Sequence, residues 1–229
     1  MMVEIIVTSL AEAITAKKLG ADRLELIDSF DYGGLSPKLE LTKTVCKQVD
    51  IPVNIMLRSN PCMNFNYNSR HVTIMLNELE YIRDYTNANG IVFGALDNNR
   101  NIDVTLLKLI IAHKGHLKLT FHRAIDMSNN VIENYQRLLD YKEVEWVLTS
   151  GGMATALEGA VNIRQMVELS IKRQYAKILA GSGITPNNAN ELIKKTGVSE
   201  IHIGTGVRIN NILSAEKIYN TLESLQTSI

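Results

Sequence analysis

The stretches GADRLEL (residues 20–26), NGIVFGAL (89–96) and GVSEIHIG (197–204) share one design. Each holds a glycine followed by a short run rich in Val, Ile and Leu, and each follows a longer segment of helical periodicity. Glycine stops a helix at such a joint because it accepts the left-handed conformation that other residues resist. The apolar run beyond it has strand length and suits a strand buried on both faces, as in parallel sheets covered by helices. The same alternation extends along the chain and yields eight strands, at residues 4–8, 23–27, 53–57, 91–94, 117–122, 145–149, 177–180 and 200–203. Helix starts fall between them. Ser9 with Glu12 forms a capping box, and Ser36-Pro37 and Thr185-Pro186 place a capping hydroxyl before a first-turn proline. Gly20, Gly90 and Gly197 mark helix ends. Eight strand–helix units predict a single (β/α)8 TIM barrel. The rival open doubly wound sheet needs GxGxxG in its first turn, where this chain has Thr8-Ser9-Leu10-Ala11.

Size and composition fit one barrel. The chain has 229 residues, 45% of them hydrophobic, and no linker or low-complexity tract divides it, so residues 1–229 are expected to form one domain. Twenty-four basic and twenty-four acidic residues cancel, leaving no general positive field for nucleic acid or an anionic membrane. Two cysteines make no disulfide framework, and no apolar run approaches the roughly 18 residues of a membrane span. An acid lies in MMVEIIVTSL, where a signal peptide needs basic charge, so a cytoplasmic protein is expected.

Alternation with period two then assigns faces. Glu4, Ile6 and Thr8 share one; so do Arg23 and Glu25, Asn54, Met56 and Arg58, Lys118, Thr120 and His122, and His202 and Gly204. The opposite face, mostly Val, Leu, Ile and Phe, must meet the helices, so the polar set points into the lumen. Charges there need partners. Glu4, Glu25, Arg23, Arg58 and Lys118 are expected to form a network, with Glu25, Arg58 and His122 nearest the carboxyl ends, where barrels of this kind place their sites.

GADRLEL, GGLSP (33–37), IPVNIMLR (51–58), GIVFGAL (90–96), TFHRAID (120–126), LTSGG (148–152) and ALEG (156–159) resemble, in order and spacing, the motifs of the CutC family. The resemblance runs from about Glu4 to His202. It implies a cytoplasmic TIM-barrel protein, a homo-oligomer, with a role in copper homeostasis. This chain departs from the family pattern in three places. Ile27 stands where many members have cysteine, SNPCMNFNYNSR (59–70) replaces a glycine-rich stretch ending in Tyr-Ser-Asp, and HIGTG replaces a His-Ala-Ser ending.

Two functional expectations follow. Copper(I) prefers thiolate and thioether ligands, and Cys62 with Met63 is the local concentration of them, above Met56. Cys46, on the second helix beside Val45 and Val49, reads as a small buried hydrophobe. The other expectation is an enzyme with a small anionic substrate. Gly181-Ser182-Gly183 and Gly204-Thr205-Gly206 follow strands seven and eight, where many barrels hold phosphate. Glu25 and His122 are then acid and base candidates. Arg58 and Arg123 are anion partners, Asp126 completes the catalytic set, and Ser150 with Gly151 adds hydrogen-bond donors. Carbonyl chemistry of the isomerase or aldolase type fits these residues, although no lysine lies at a strand end for a Schiff base.

Overall fold

The computed structural model describes residues 1–171, 173 and 175–226, so the last three positions of the single-domain reading lie outside it. Eight parallel strands close into a barrel in chain order: β1 Met2–Val7, β2 Arg23–Leu26, β3 Val53–Met56, β4 Gly90–Phe93, β5 Lys118–Phe121, β6 Val144–Thr149, β7 Lys177–Gly181 and β8 Glu200–Ile203. β8 returns to β1 in the register Met2↔Glu200 to Ile5↔Ile203. One α-helix follows each strand among the described residues: α1 Leu10–Lys18, α2 Leu39–Gln48, α3 Ser69–Tyr85, α4 Val104–His113, α5 Val131–Leu138, α6 Ala160–Ile171, α7 Ala189–Thr196 and α8 Ala215–Gln226. The chain is a (β/α)8 TIM barrel. Observed strand ends lie within two residues of those expected.

The outward strand faces carry Val3, Ile5, Val7, Leu24, Leu26, Val53, Ile55, Ile91 and Phe93 into one large core with the helices. Full burial of each such Val, Leu, Ile or Phe side chain contributes about 1.5–3 kcal/mol. Inside the barrel the apolar residues divide into two small groups. Met56, Val92, Ile6, Ile27 and Phe30 form one, and Trp146, Leu148 and Leu179 the other. Polar side chains occupy the space between them.

Several local expectations are corrected. Ser9 does cap α1, accepting from the Glu12 N–H, but the Glu12 carboxylate reaches past it to the Thr8 N–H at 2.8 Å and to Arg208. Ser36-Pro37 and Thr185-Pro186 start no helix. Lys38 and Asn188 occupy the N-cap positions instead, and the Ser36 hydroxyl is held between the Glu78 carboxylate and the Arg58 N–H. Gly90 lies inside β4 rather than at a helix end; a Cβ there would meet the Lys118 carbonyl oxygen at 2.6 Å. Lys118 is exposed at the amino end of β5, with its ammonium 5.4 Å from the Trp146 ring, and takes no part in the carboxylate network.

Candidate functional site

At the carboxyl ends of the strands a cavity of about 240 Å³ opens. Ligand pockets for drug-sized molecules begin near 300 Å³, so this one suits something smaller. Its apolar wall includes Ile6, Ile27, Phe30, Met56, Phe65 and Leu148; its polar side chains are Glu25, Arg58, His122, Arg123 and His202. The turns Ser182-Gly183 and Gly204-Thr205-Gly206 form its far rim.

A buried network lies below it. The Glu4 carboxylate accepts from Arg23 Nε, from Asn54 Nδ2 at 3.2 Å and from His202 Nδ1 at 2.8 Å. Arg23 also donates to Glu200 at 2.9 Å and lies 4.2 Å over the Trp146 ring, whose N–H reaches the other Glu200 oxygen. Burial alone would raise the Glu4 pKa, but Arg23 and His202 outweigh it and hold the group at about 2. At Glu25 the same two groups do not prevail. Burial pushes it up to about 7, His202 at 3.4 Å opposes the rise, and the nearby Glu4 charge adds to it. One Glu25 oxygen, Oε1, has no hydrogen-bond partner.

His122 caps the 3₁₀ turn Arg123–Met127, its Nδ1 accepting from the Ala124 N–H at 3.1 Å. That bond assigns the ring proton to Nε2, which has no partner. Burial, and after it the Arg58 charge, lowers the His122 pKa to about 3. Arg58 is 1% exposed and lies 4.8 Å over the Phe65 ring. It donates to the carbonyls of Tyr32, Gly34 and Pro61, forms no ion pair with a carboxylate among the described residues, and keeps an unpartnered Nε–H. The Arg58, Glu25 and His122 side chains thus reach one cavity without closing on each other.

Other expected site residues lie elsewhere. Asp126 lies at the centre of a hydrogen-bond cage: it accepts from the Thr149 hydroxyl, Ser150 N–H and hydroxyl, the Gly152 N–H and Arg123 Nε. That cage consumes Ser150, while Gly151 donates to Thr149 Oγ1 and accepts from Asn162, so neither is free for an anion. Gly181 lies beneath the cavity, where a Cβ would strike Leu148 at 2.6 Å. Arg123 is half-exposed on the wall, tied to Asp126 and Ser150. His202, expected on the inward face, sits between Glu4 and Glu25. One contributor escaped the sequence reading: Gly94 leaves the space that the His122 ring fills, its Cβ position only 2.4 Å from Nδ1. The glycine in GIVFGAL was the available signal.

The sulfur atoms do not fit a copper(I) site. Cys62 is exposed, and Met63 Sδ lies 3.4 Å from an Arg58 guanidinium nitrogen, which repels a cation. Cys46 is buried in the outer core, and burial raises its thiol to about 11, against the thiolate a metal requires. Among the described residues no three His, Cys, Asp or Glu side chains gather as a metal site.

Fold and mouth together define a small (β/α)8-barrel protein with ionisable side chains converging at the carboxyl ends of its strands. The chain belongs to the CutC family, whose model matches residues 1–207. It is 33% identical over 213 residues to the family protein CutC of Pasteurella multocida, covering 93% of this chain and 85% of that one. It is 34% identical over 201 residues to the human copper homeostasis protein cutC homolog, covering 88% and 72%. A CutC crystal structure from Streptococcus agalactiae superposes with a TM-score of 0.82 at 24% identity, over 91% of this chain and all of that one.

Proposed function

We propose that this chain serves copper homeostasis, the role carried in its relatives' names, through a small anion bound in the barrel mouth rather than through copper held by its own sulfur atoms. Arg58 carries this reading. A guanidinium 1% exposed and without a carboxylate partner is costly to keep, and an anion entering the cavity beside it supplies the missing charge. Neutral His122 adds an N–H donor next to it. The two unpaired cysteines suit a reducing cytoplasm.

Calorimetric titration with inorganic phosphate tests the anion site. One-to-one binding that Arg58→Met abolishes is the expected result, and no binding to the parent protein refutes it. Anaerobic Cu(I) titration against a chelator tests the other half. Stoichiometric binding that Cys62→Ser removes would restore the thiol reading.

A further inference from the structure

Three side chains that line the cavity each keep one buried polar atom without a partner, and the chemical types differ. Glu25 Oε1 is an acceptor, while His122 Nε2 and Arg58 Nε are donors. An unmatched acceptor and unmatched donors on the side chains around one small space are the parts needed to move a proton from carbon while holding the oxygen that gains charge. We propose that the mouth catalyses proton transfer at the carbon next to the carbonyl of a small phosphorylated hydroxyketone, with Glu25 as the base and His122 as the donor to the carbonyl oxygen. The proposal rests on the anion site argued above and adds a reaction to it.

The hydrogen bonds fix the roles. His122 Nδ1 is occupied by the Ala124 N–H, so its ring has no free lone pair and acts as a donor through Nε2. Its depressed pKa keeps it neutral at neutral pH, and a neutral imidazole can serve as an electrophile toward a developing enolate. Glu25 has a free oxygen, and its elevated pKa suits a base working near neutrality. Behind it, Glu4 holds the proton on His202 Nδ1, leaving His202 Nε2 toward Glu25. Glu4 and His202 are therefore positioning residues.

Other barrel chemistries lack their parts here. A Schiff-base aldolase needs a lysine, and among the described residues none lines the cavity. Glycoside hydrolysis needs two carboxylates flanking a bond, and among the described residues Glu25 is the one carboxylate on the wall. Acyl transfer finds no thiol there, since Cys62 lies outside the wall, and the Ser182 hydroxyl is engaged with the Ala154 carbonyl.

The step balances without an oxidant. The Glu25 carboxylate takes the α-proton, the C–H electron pair becomes the C=C bond, and the carbonyl π pair moves to oxygen, where the His122 N–H meets it. Return of the proton from Glu25 to carbon regenerates the carbonyl and the carboxylate.

Dihydroxyacetone phosphate in D2O, followed by proton NMR, is the test. The protein is expected to exchange the α-proton. Glu25→Gln should slow exchange at least about 100-fold, the lower end of general-base contributions. His122→Gln should lower kcat with little change in KM, because its donor acts mainly on the transition state. His202→Asn should move the pH profile of exchange, which a purely structural residue would leave in place. Phosphate binding without exchange above the Glu25→Gln rate overturns this inference and spares the anion site, whereas failure of phosphate binding removes the anion site itself. Nitrogen NMR that places the His122 proton on Nδ1 would also overturn the assigned role.

Discussion

Gly94→Ala isolates the contact that shapes the site. Gly94 follows β4, and an added methyl would lie 2.4 Å from Nδ1 and 2.6 Å from Cε1 of His122, with the Ala124 Cβ at 3.1 Å. The ring cannot yield cheaply, because Phe65 and Phe121 pack against it at centroid distances of 5.1 and 6.2 Å and its Nδ1 is bonded to Ala124. Overpacking of this kind costs about 1–3 kcal/mol, and displacing the Nδ1 bond adds roughly 0.5–1.5. A total near 3 kcal/mol lowers Tm by roughly 6–12 °C for a chain of this size. Differential scanning fluorimetry of Gly94→Ala, His122→Ala and the double variant reads the coupling. With the ring removed only the Ala124 contact remains, so Gly94→Ala should cost about 1 kcal/mol or less in that background, a coupling of roughly 2 kcal/mol. Additive effects would refute the claim that Gly94 exists to admit His122.

Three further outcomes are expected. Arg23→Met strands the Glu4 and Glu200 carboxylates in the lumen and should cost about 3–5 kcal/mol in urea unfolding, whereas Lys118→Met, at the exposed barrel end, should stay within about 0.5 kcal/mol. Asp126→Ala breaks the cage around Ser150 and should lower stability by about 2 kcal/mol or more while leaving the pH dependence of any ligand binding unchanged. His122, depressed to about 3, contributes stability above pH 6.5 that is lost as pH falls; Glu25, raised to about 7, contributes stability below pH 4.5 that is lost as pH rises. The two oppose each other between pH 4.5 and 6.5. The parent protein should therefore be nearly flat there, His122→Gln should weaken with rising pH by about 2–3 kcal/mol, and Glu25→Gln should strengthen by a similar amount. Thermal scans in which both variants follow the parent curve would contradict this.

The barrel was legible because two independent periodicities agree along the chain. Strand faces alternating Glu4/Ile6 against Val3/Ile5 leave no choice about which side meets the helices. Placement of Glu25, Arg58 and His122 at one end followed from the same count. Partnership was not legible. Lys118 has the same parity as Thr120 and His122, yet it lies at the far end of the strand, where water solvates it. Spacing named Asp126 as a candidate but not its partners: its carboxylate accepts from the Thr149–Gly152 turn, linking TFHRAID to LTSGG. Nor can spacing tell which imidazole nitrogen carries the proton. That depends on the Ala124 N–H, which a 3₁₀ turn brings back to the ring.

The arrangement of charge in the lumen bears directly on the proposed step. Glu4 and Glu200 share the guanidinium of Arg23, and the Glu4 charge acts on Glu25. Arg58 has carbonyls but no carboxylate, and its charge depresses His122. Proton removal by Glu25 neutralises a carboxylate that Glu4 destabilises and creates charge on an oxygen near Arg58 and the His122 N–H. Negative charge therefore moves from a group that Glu4 repels toward a guanidinium that lacks a carboxylate. In a cavity this small and largely apolar, little water intervenes to screen that difference, so the preference is felt in the transition state rather than averaged away by solvent. Arg58→Met removes the positive group that receives this charge without touching the base.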